Sequence, residues 1–303
     1  MIHKQHMKPM LAALGVFTIW GFSFLASKLG QAAASPFVVL MYRFDLAALI
    51  MGLLWLHKRP KISFKGKKIK GLLLLGFCEP VIYFIGEQYG LKHTNSAFTG
   101  VMIAVIPIAT MLLAAIFLKE KPTALQWLFS AISIAGVAAI TLMAGGSGQI
   151  QPLGVALLTV AVLAGSAYSV ISKSISDDFS AYERSLVMQL MGAVSFTVLA
   201  VLENRNDLSK LTTPMLDGGF IFAALYLSLG ASAIGYLLFN YAVSKAPMAN
   251  VISMSNLTTV LSVIAGVVLL NEPFSLGSAA ALIVILLGIW GVQKAGPGNA
   301  AQS

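Results

Sequence analysis

Apolar residues run in blocks of about twenty along nearly the whole chain, with short polar, glycine- or proline-bearing breaks between them. A helix needs about 20 apolar residues to cross the hydrocarbon core of a bilayer. Ten blocks meet that length. They predict helices near 10–30, 36–56, 69–91, 96–118, 124–143, 153–173, 181–202, 219–243, 248–270 and 276–294. The breaks have local causes. Ser35-Pro36 opens the second block, because proline suits the first turn of a helix. Pro122 follows the fourth, Gly145-Gly146-Ser147-Gly148 separates the fifth from the sixth, and Pro247 and Pro273 punctuate the last three. The expected fold class is all-α, a polytopic membrane protein with ten transmembrane helices.

Composition narrows the picture further. Charged residues make up 10 % of the 303, against about 25 % in a soluble domain. The mean hydropathy is +0.86. These values exclude a disordered chain, a secreted disulfide scaffold and nearly all soluble enzymes. Cys78 is the single cysteine, so no intramolecular disulfide forms. His3, His6, His57 and His93 have no partner at metal-ligand spacing, and neither a metal nor a cofactor is expected. There is no G-x-S-x-G elbow, H-E-x-x-H pair, Walker A lysine loop or complete G-x-G-x-x-G, which argues against a membrane-embedded enzyme.

The net charge of +9 is distributed unevenly. With the N-terminus inside, the inner face carries Lys4, Lys8, Lys58, Arg59, Lys61, Lys65, Lys67, Lys68, Lys70, Lys119, Lys121, Lys173, Arg184, Lys245 and Lys294. The outer face carries only Lys28, Lys92, Arg205 and Lys210. Cytoplasmic loops hold the lysine and arginine excess, so both termini are expected in the cytoplasm, with the protein in the plasma membrane. The basic face then meets anionic membrane lipid rather than nucleic acid. The basic start, the apolar stretch and Ala32-Ala33-Ala34 are also features of a secretory signal. That stretch exceeds the usual 7–15 residues and has a counterpart later in the chain, so it reads as a mature helix.

The chain repeats itself. A shift of 145 residues aligns Ser27-Lys28 with Ser172-Lys173. A shift of 152 aligns Tyr89 with Tyr241, Leu118 with Leu270, Glu120 with Glu272 and Gly136 with Gly288. The expected organisation is a first repeat over 1–146, a second over 147–294 and a cytoplasmic tail over 295–303. A unit with an odd number of spans enters the membrane from opposite sides in its two copies. Five plus five is therefore an inverted repeat, a hallmark of secondary transporters, with a site near the midplane between the halves. One chain holding both halves is compatible with a monomer.

The residues Trp20-Gly21-Phe22-Ser23-Phe24, Tyr42-Arg43-Phe44, Pro107, Leu118-Lys119-Glu120 and Gly136, with Leu270-Asn271-Glu272 and Gly288 in the second copy, carry a resemblance. In order, spacing and duplication the chain resembles the EamA family of the drug/metabolite transporter superfamily. The resemblance implies ten helices in two inverted repeats, a central cavity and export of small metabolites such as amino acids. The copies differ: Thr259 stands at the position of Pro107, and Gly165-Ser166 at that of Trp20-Gly21.

Ionisable groups in the hydrocarbon region are costly, so they mark candidate sites. Arg43 and Asp45 lie in the second helix, Glu79 and Glu87 in the third. At about 1.5 Å per residue, Arg43 lies about 10 Å deep, between Glu87 at about 6 Å and Glu79 at about 18 Å. Arg43 and Glu87 are expected to take part in charge pairing within the membrane. Glu79, Tyr83 and Glu87 share one helix face, and Pro80 loosens that helix at the midplane. The expected substrate cavity comprises Trp20, Ser23, Glu79, Tyr83, Tyr168, Tyr236, Asn240, Ser253 and Asn256, giving aromatic walls with a few polar partners, as small-ligand sites have. Asp45, Glu120 and Glu272 read as structural contacts. The partner expected is a small polar or zwitterionic metabolite moved outward, an amino acid or related compound. A drug efflux carrier of the same superfamily and a membrane channel are the alternatives.

Overall fold

A computed structural model describes residues 2–60, 62–64, 66, 67, 69–94, 96–143, 150–270 and 275–295. Asn271, Glu272, Pro273, the Gly145–Gly148 break, the 146/147 repeat boundary and residues 296–303 of the tail lie outside them. Among the described residues the fold is helical, without strands, in ten spans. These are α1 Ile2–Ala33, α2 Pro36–Lys58, α3 Ile69–Lys92, α4 Thr99–Phe117, α5 Ala124–Met143, α6 Pro152–Ser174, α7 Ala181–Glu203, α8 Gly218–Lys245, α9 Met248–Ala265 and α10 Leu276–Lys294. Nine are long and apolar enough to cross a membrane, and the shorter apolar stretch Ala124–Ala139 of α5 supplies the tenth.

The helix starts follow from local chemistry. Pro36 and Pro152 occupy first turns. The Asp217 carboxylate accepts from the Phe220 N–H at 2.7 Å and starts α8. The Ser275 hydroxyl accepts from the Ser278 N–H at 3.0 Å and starts α10. Ser180 and Glu183 form a capping box at the start of α7. Leu112, Ile116, Leu163, Val194, Phe222 and Leu286 point outward, as lipid-facing side chains do.

Packing has the symmetry of the repeat. Helix α1 packs on α8 and α9, and its counterpart α6 packs on α3 and α4, the counterparts of those two. Helices α2 and α7 pack on each other, as do α5 and α10. Each of these contacts is either matched by its symmetry mate or is its own mate, which is what a pseudo-two-fold axis between two inverted five-helix halves produces.

Four helices are less regular than the apolar blocks suggest. Helix α3 changes to a wider turn at Phe77–Ile82, where Glu79 is extended (φ −142°, ψ 122°). Proline disfavours the helical region for the residue before it, which accounts for Glu79. Helix α8 widens over Tyr226–Ile234, and the 152-residue shift lays Phe77–Ile82 on Leu229–Ile234, inside that segment. Helix α4 turns at Val105, ahead of Pro107, and its mate α9 has a 3-10 turn at Met254–Asn256. The second copy keeps its irregularities without either proline. Helix α1 starts at Ile2, well before the expected residue 10.

Candidate functional site in a cavity between the repeats

Seven helices, α1, α2, α3, α4, α6, α8 and α9, enclose a cavity of about 450 Å³. Trp20, Ser23, Arg43, Glu79, Tyr83, Glu87, Tyr168, Tyr236 and Asn256 line it. It reaches Ser27, Lys28 and Gln31 at the end of α1 and Leu91 near the end of α3, so it extends from mid-helix toward the face opposite the start of α1. The face bearing the start of α1 is called the N-terminal face below.

Glu79 stands at the break in α3. Tyr236 of α8 donates to its Oε1 at 2.7 Å, joining the two irregular helices across the cavity. The Tyr236 ring meets Trp20 edge-on at 5.4 Å and Tyr168 at 6.0 Å. Trp20 Nε1 donates to the Ala231 carbonyl at 2.9 Å, and Gln189 Nε2 to the Ser232 carbonyl at 3.3 Å. Both carbonyls lie in the widened turn of α8, where the helical ladder is disturbed. Side chains thus satisfy backbone groups that have no water in a bilayer core.

Nearer the opposite face, Tyr83 donates to Glu87 Oε1 at 3.1 Å, and the Gln88 amide lies 3.5 Å from Oε2. Among the described residues Arg43 has no carboxylate at ion-pair distance. Its Nε donates to Ser232 Oγ at 2.8 Å, and its guanidinium lies 4.8 Å from the Phe84 ring centre and 5.4 Å from that of Phe44. Ser232, buried in the wide turn of α8, supplies the acceptor, and the two rings flank the cation. Asp45 is held apart from this group and accepts from Thr197 Oγ1 at 3.0 Å.

Two expected cavity residues are elsewhere. Asn240 is fully buried beneath the cavity, toward the N-terminal face. Its Oδ1 accepts from Tyr168 (3.2 Å) and Ser172 (2.6 Å), and its Nδ2 donates to Ser185 at 2.9 Å. Ser253 donates to the Asn250 carbonyl at 3.1 Å and accepts from Gln293 Nε2 at 3.0 Å, tying α9 to α10. Asn256 lines the cavity but spends a donor on Ser133 of α5 at 2.9 Å.

Arg184 is the residue the sequence reading misplaces. Counted among the charges of the inner face, it is 1 % exposed and donates to Ser172 Oγ (2.7 Å) and the Asn240 carbonyl (2.8 Å). With Asn240, Ser172 and Ser185 it forms a polar knot under Tyr168. The helix expected over 181–202 already contains it, and the capping box of Ser180 and Glu183 fixes it in the first turn. Among the described residues no group of three or more His, Cys, Asp or Glu is placed to hold a metal.

Ten apolar helices in two inverted halves, with a largely apolar cavity between them that carries a few charged side chains, define a membrane transporter. The chain matches the EamA-like transporter family over residues 7–142 and again over 152–293, and it belongs to that family. The uncharacterised transporter YcxC of Bacillus subtilis (strain 168) is 29 % identical over 294 residues, covering 96 % of this chain and 94 % of its own. An uncharacterised transporter of Archaeoglobus fulgidus is 25 % identical over 95 % of this chain and 99 % of its own. The uncharacterised inner membrane transporter YedA of Escherichia coli (strain K12) is 26 % identical over 94 % of this chain and 90 % of its own. One crystal structure superposes with a TM-score of 0.81 over 95 % of this chain and 97 % of its own, at 17 % identity, a likeness of fold.

Proposed function

We propose that this transporter exports a small polar metabolite, an amino acid or a close relative, by alternating access. In this reading the halves 1–146 and 147–294 rock about the cavity, and the N-terminal face is cytoplasmic, an orientation the lysine and arginine bias supports. The observation that carries the proposal is the cavity itself. It combines two carboxylates, Glu79 and Glu87, with the Arg43 guanidinium and with aromatic walls from Trp20, Tyr83, Tyr168 and Tyr236. A zwitterion presents an ammonium to the acids and a carboxylate to the guanidinium, and its side chain meets the rings. Ser23 and Asn256 add polar partners.

The test is counterflow of labelled amino acids into vesicles containing purified protein. Glu79→Gln and Trp20→Ala are expected to reduce flux roughly tenfold or more, a loss of about 1.4 kcal/mol of stabilisation along the cycle. Flux absent for every amino acid, or unchanged in both variants, refutes the assignment. The aromatic share of the wall also favours a second reading, an efflux carrier for apolar cations. Competition by lipophilic cations without any amino acid flux would select it.

A further inference from the structure

Glu120 follows α4 in the first repeat, and Lys173 lies in the last turn of α6 in the second. They form an ion pair at the N-terminal face. Each partner also holds the turn between α8 and α9. Glu120 Oε2 accepts from the Met248 N–H at 2.9 Å, the start of α9, and Lys173 Nζ donates to the Ala246 carbonyl at 2.7 Å. Two side chains therefore fasten α4, α6, α8 and α9, four of the helices that enclose the cavity, at one point.

The position of this point matters. A separate cleft of about 440 Å³ opens at the same face, and Glu120, Lys173, Ala246 and Pro247 belong to its wall. The Glu120 and Lys173 side chains remain about one-fifth exposed (20 % and 22 %). Behind the pair come the polar knot and then the cavity. A route from the N-terminal face to the cavity has to part α4 and α6 from the α8–α9 turn, and this pair spans that seam. Partly hydrated ion pairs are weak, so they suit a contact that breaks and re-forms in each cycle better than one that only holds the fold. The pair's partners are also duplicated in the chain, since the shifts that define the repeat lay Lys28 on Lys173 and Glu272 on Glu120.

We infer that Glu120 and Lys173 form the gate at the N-terminal face, positioning residues of the transport cycle that bias the protein toward the state closed on that side. The inference rests on the alternating-access reading but on no particular substrate.

The test uses the full chain in vesicles, with Cys78→Ala and a probe cysteine at Ser169→Cys, on the cavity wall. A membrane-impermeant maleimide is applied from one face at a time. Lys173→Gln, which leaves Glu120 to cap Met248, and Glu120→Gln are each expected to raise labelling from the N-terminal face roughly three- to tenfold and to lower labelling from the opposite face. Glu120→Asp, which keeps the charge, is expected to restore the parent pattern. Labelling from both faces at parent rates in both neutral variants overturns the gate. So does a lowered thermal unfolding midpoint without any change in labelling, or failure of both variants to fold, since the pair is then structural. The labelling needs no substrate, so loss of the amino acid assignment leaves this result standing. Flux that persists while no variant labels from the N-terminal face overturns the gate alone.

Discussion

Gly288 has no room for a side chain. A Cβ there would lie 2.5 Å from Ser133 Cβ and 2.7 Å from the Ser133 Cα and N, so backbone as well as side chain blocks it. Its repeat mate Gly136 faces the same contact from α5, 3.0 Å from the Ala281 carbonyl. Gly288→Ala is expected to destabilise by about 1–3 kcal/mol, as overpacking does, and to lower the thermal unfolding midpoint in detergent. Gly52→Ala, with nothing within 4 Å of the added carbon, is expected to leave the midpoint unchanged or raise it. Equal midpoints for the two variants would show the α5–α10 contact to be looser than described. This pair is legible in the sequence because the repeat aligns the two glycines. Trp20, Glu79 and Tyr236 are legible for another reason: each is a polar or aromatic group inside an apolar block, and all three line one cavity. Asn240 and Ser253 carry the same signal and lie outside that cavity. Position along a helix fixes depth, whereas the direction a side chain faces depends on neighbours the sequence does not name.

At the scale of the element, α3 and α8 share a widened turn with different origins. In α3 the cause is local, since Pro80 bears no N–H and pushes Glu79 out of helical geometry. In α8 the aligned position is Ser232, and no single residue forbids a regular helix. The bonds from Trp20 to Ala231, Gln189 to Ser232 and Arg43 to Ser232 stabilise the distortion from outside. The first break is therefore legible in the sequence and the second is not. Pro80→Ala removes the restriction on residue 79, so a regular helix becomes favourable and the carboxylate withdraws from Tyr236. The expected outcome is a correctly folded protein, by circular dichroism and gel filtration, with roughly tenfold or greater loss of flux. Parent-level flux in Pro80→Ala would mean that the break does not position Glu79.

At the scale of the whole molecule, the inverted halves place successive loops on alternate faces. Single cysteines at Asp177, between α6 and α7, and at Asn206, between α7 and α8, should react with an impermeant reagent from opposite sides, Asp177→Cys from the cytoplasm. Reaction of both from one side would contradict the topology, and reversed sides would contradict only the orientation. The number of spans and their inversion follow from ten apolar blocks and one internal alignment. The polar contents of the interface do not, because the two copies have drifted apart. Among the described residues, every formally charged one lining the cavity, Lys28, Arg43, Glu79 and Glu87, belongs to the first half. The aligned positions of the last three in the second half are Met188, Ala231 and Phe239, all neutral. Had the two halves stayed identical, each acid would have brought its mirror image, crowding four carboxylates into one small space of low polarity, where like charges oppose ionisation. Joining both halves in one polypeptide frees each to mutate alone, and that independence lets one wall become ionic while the other stays uncharged.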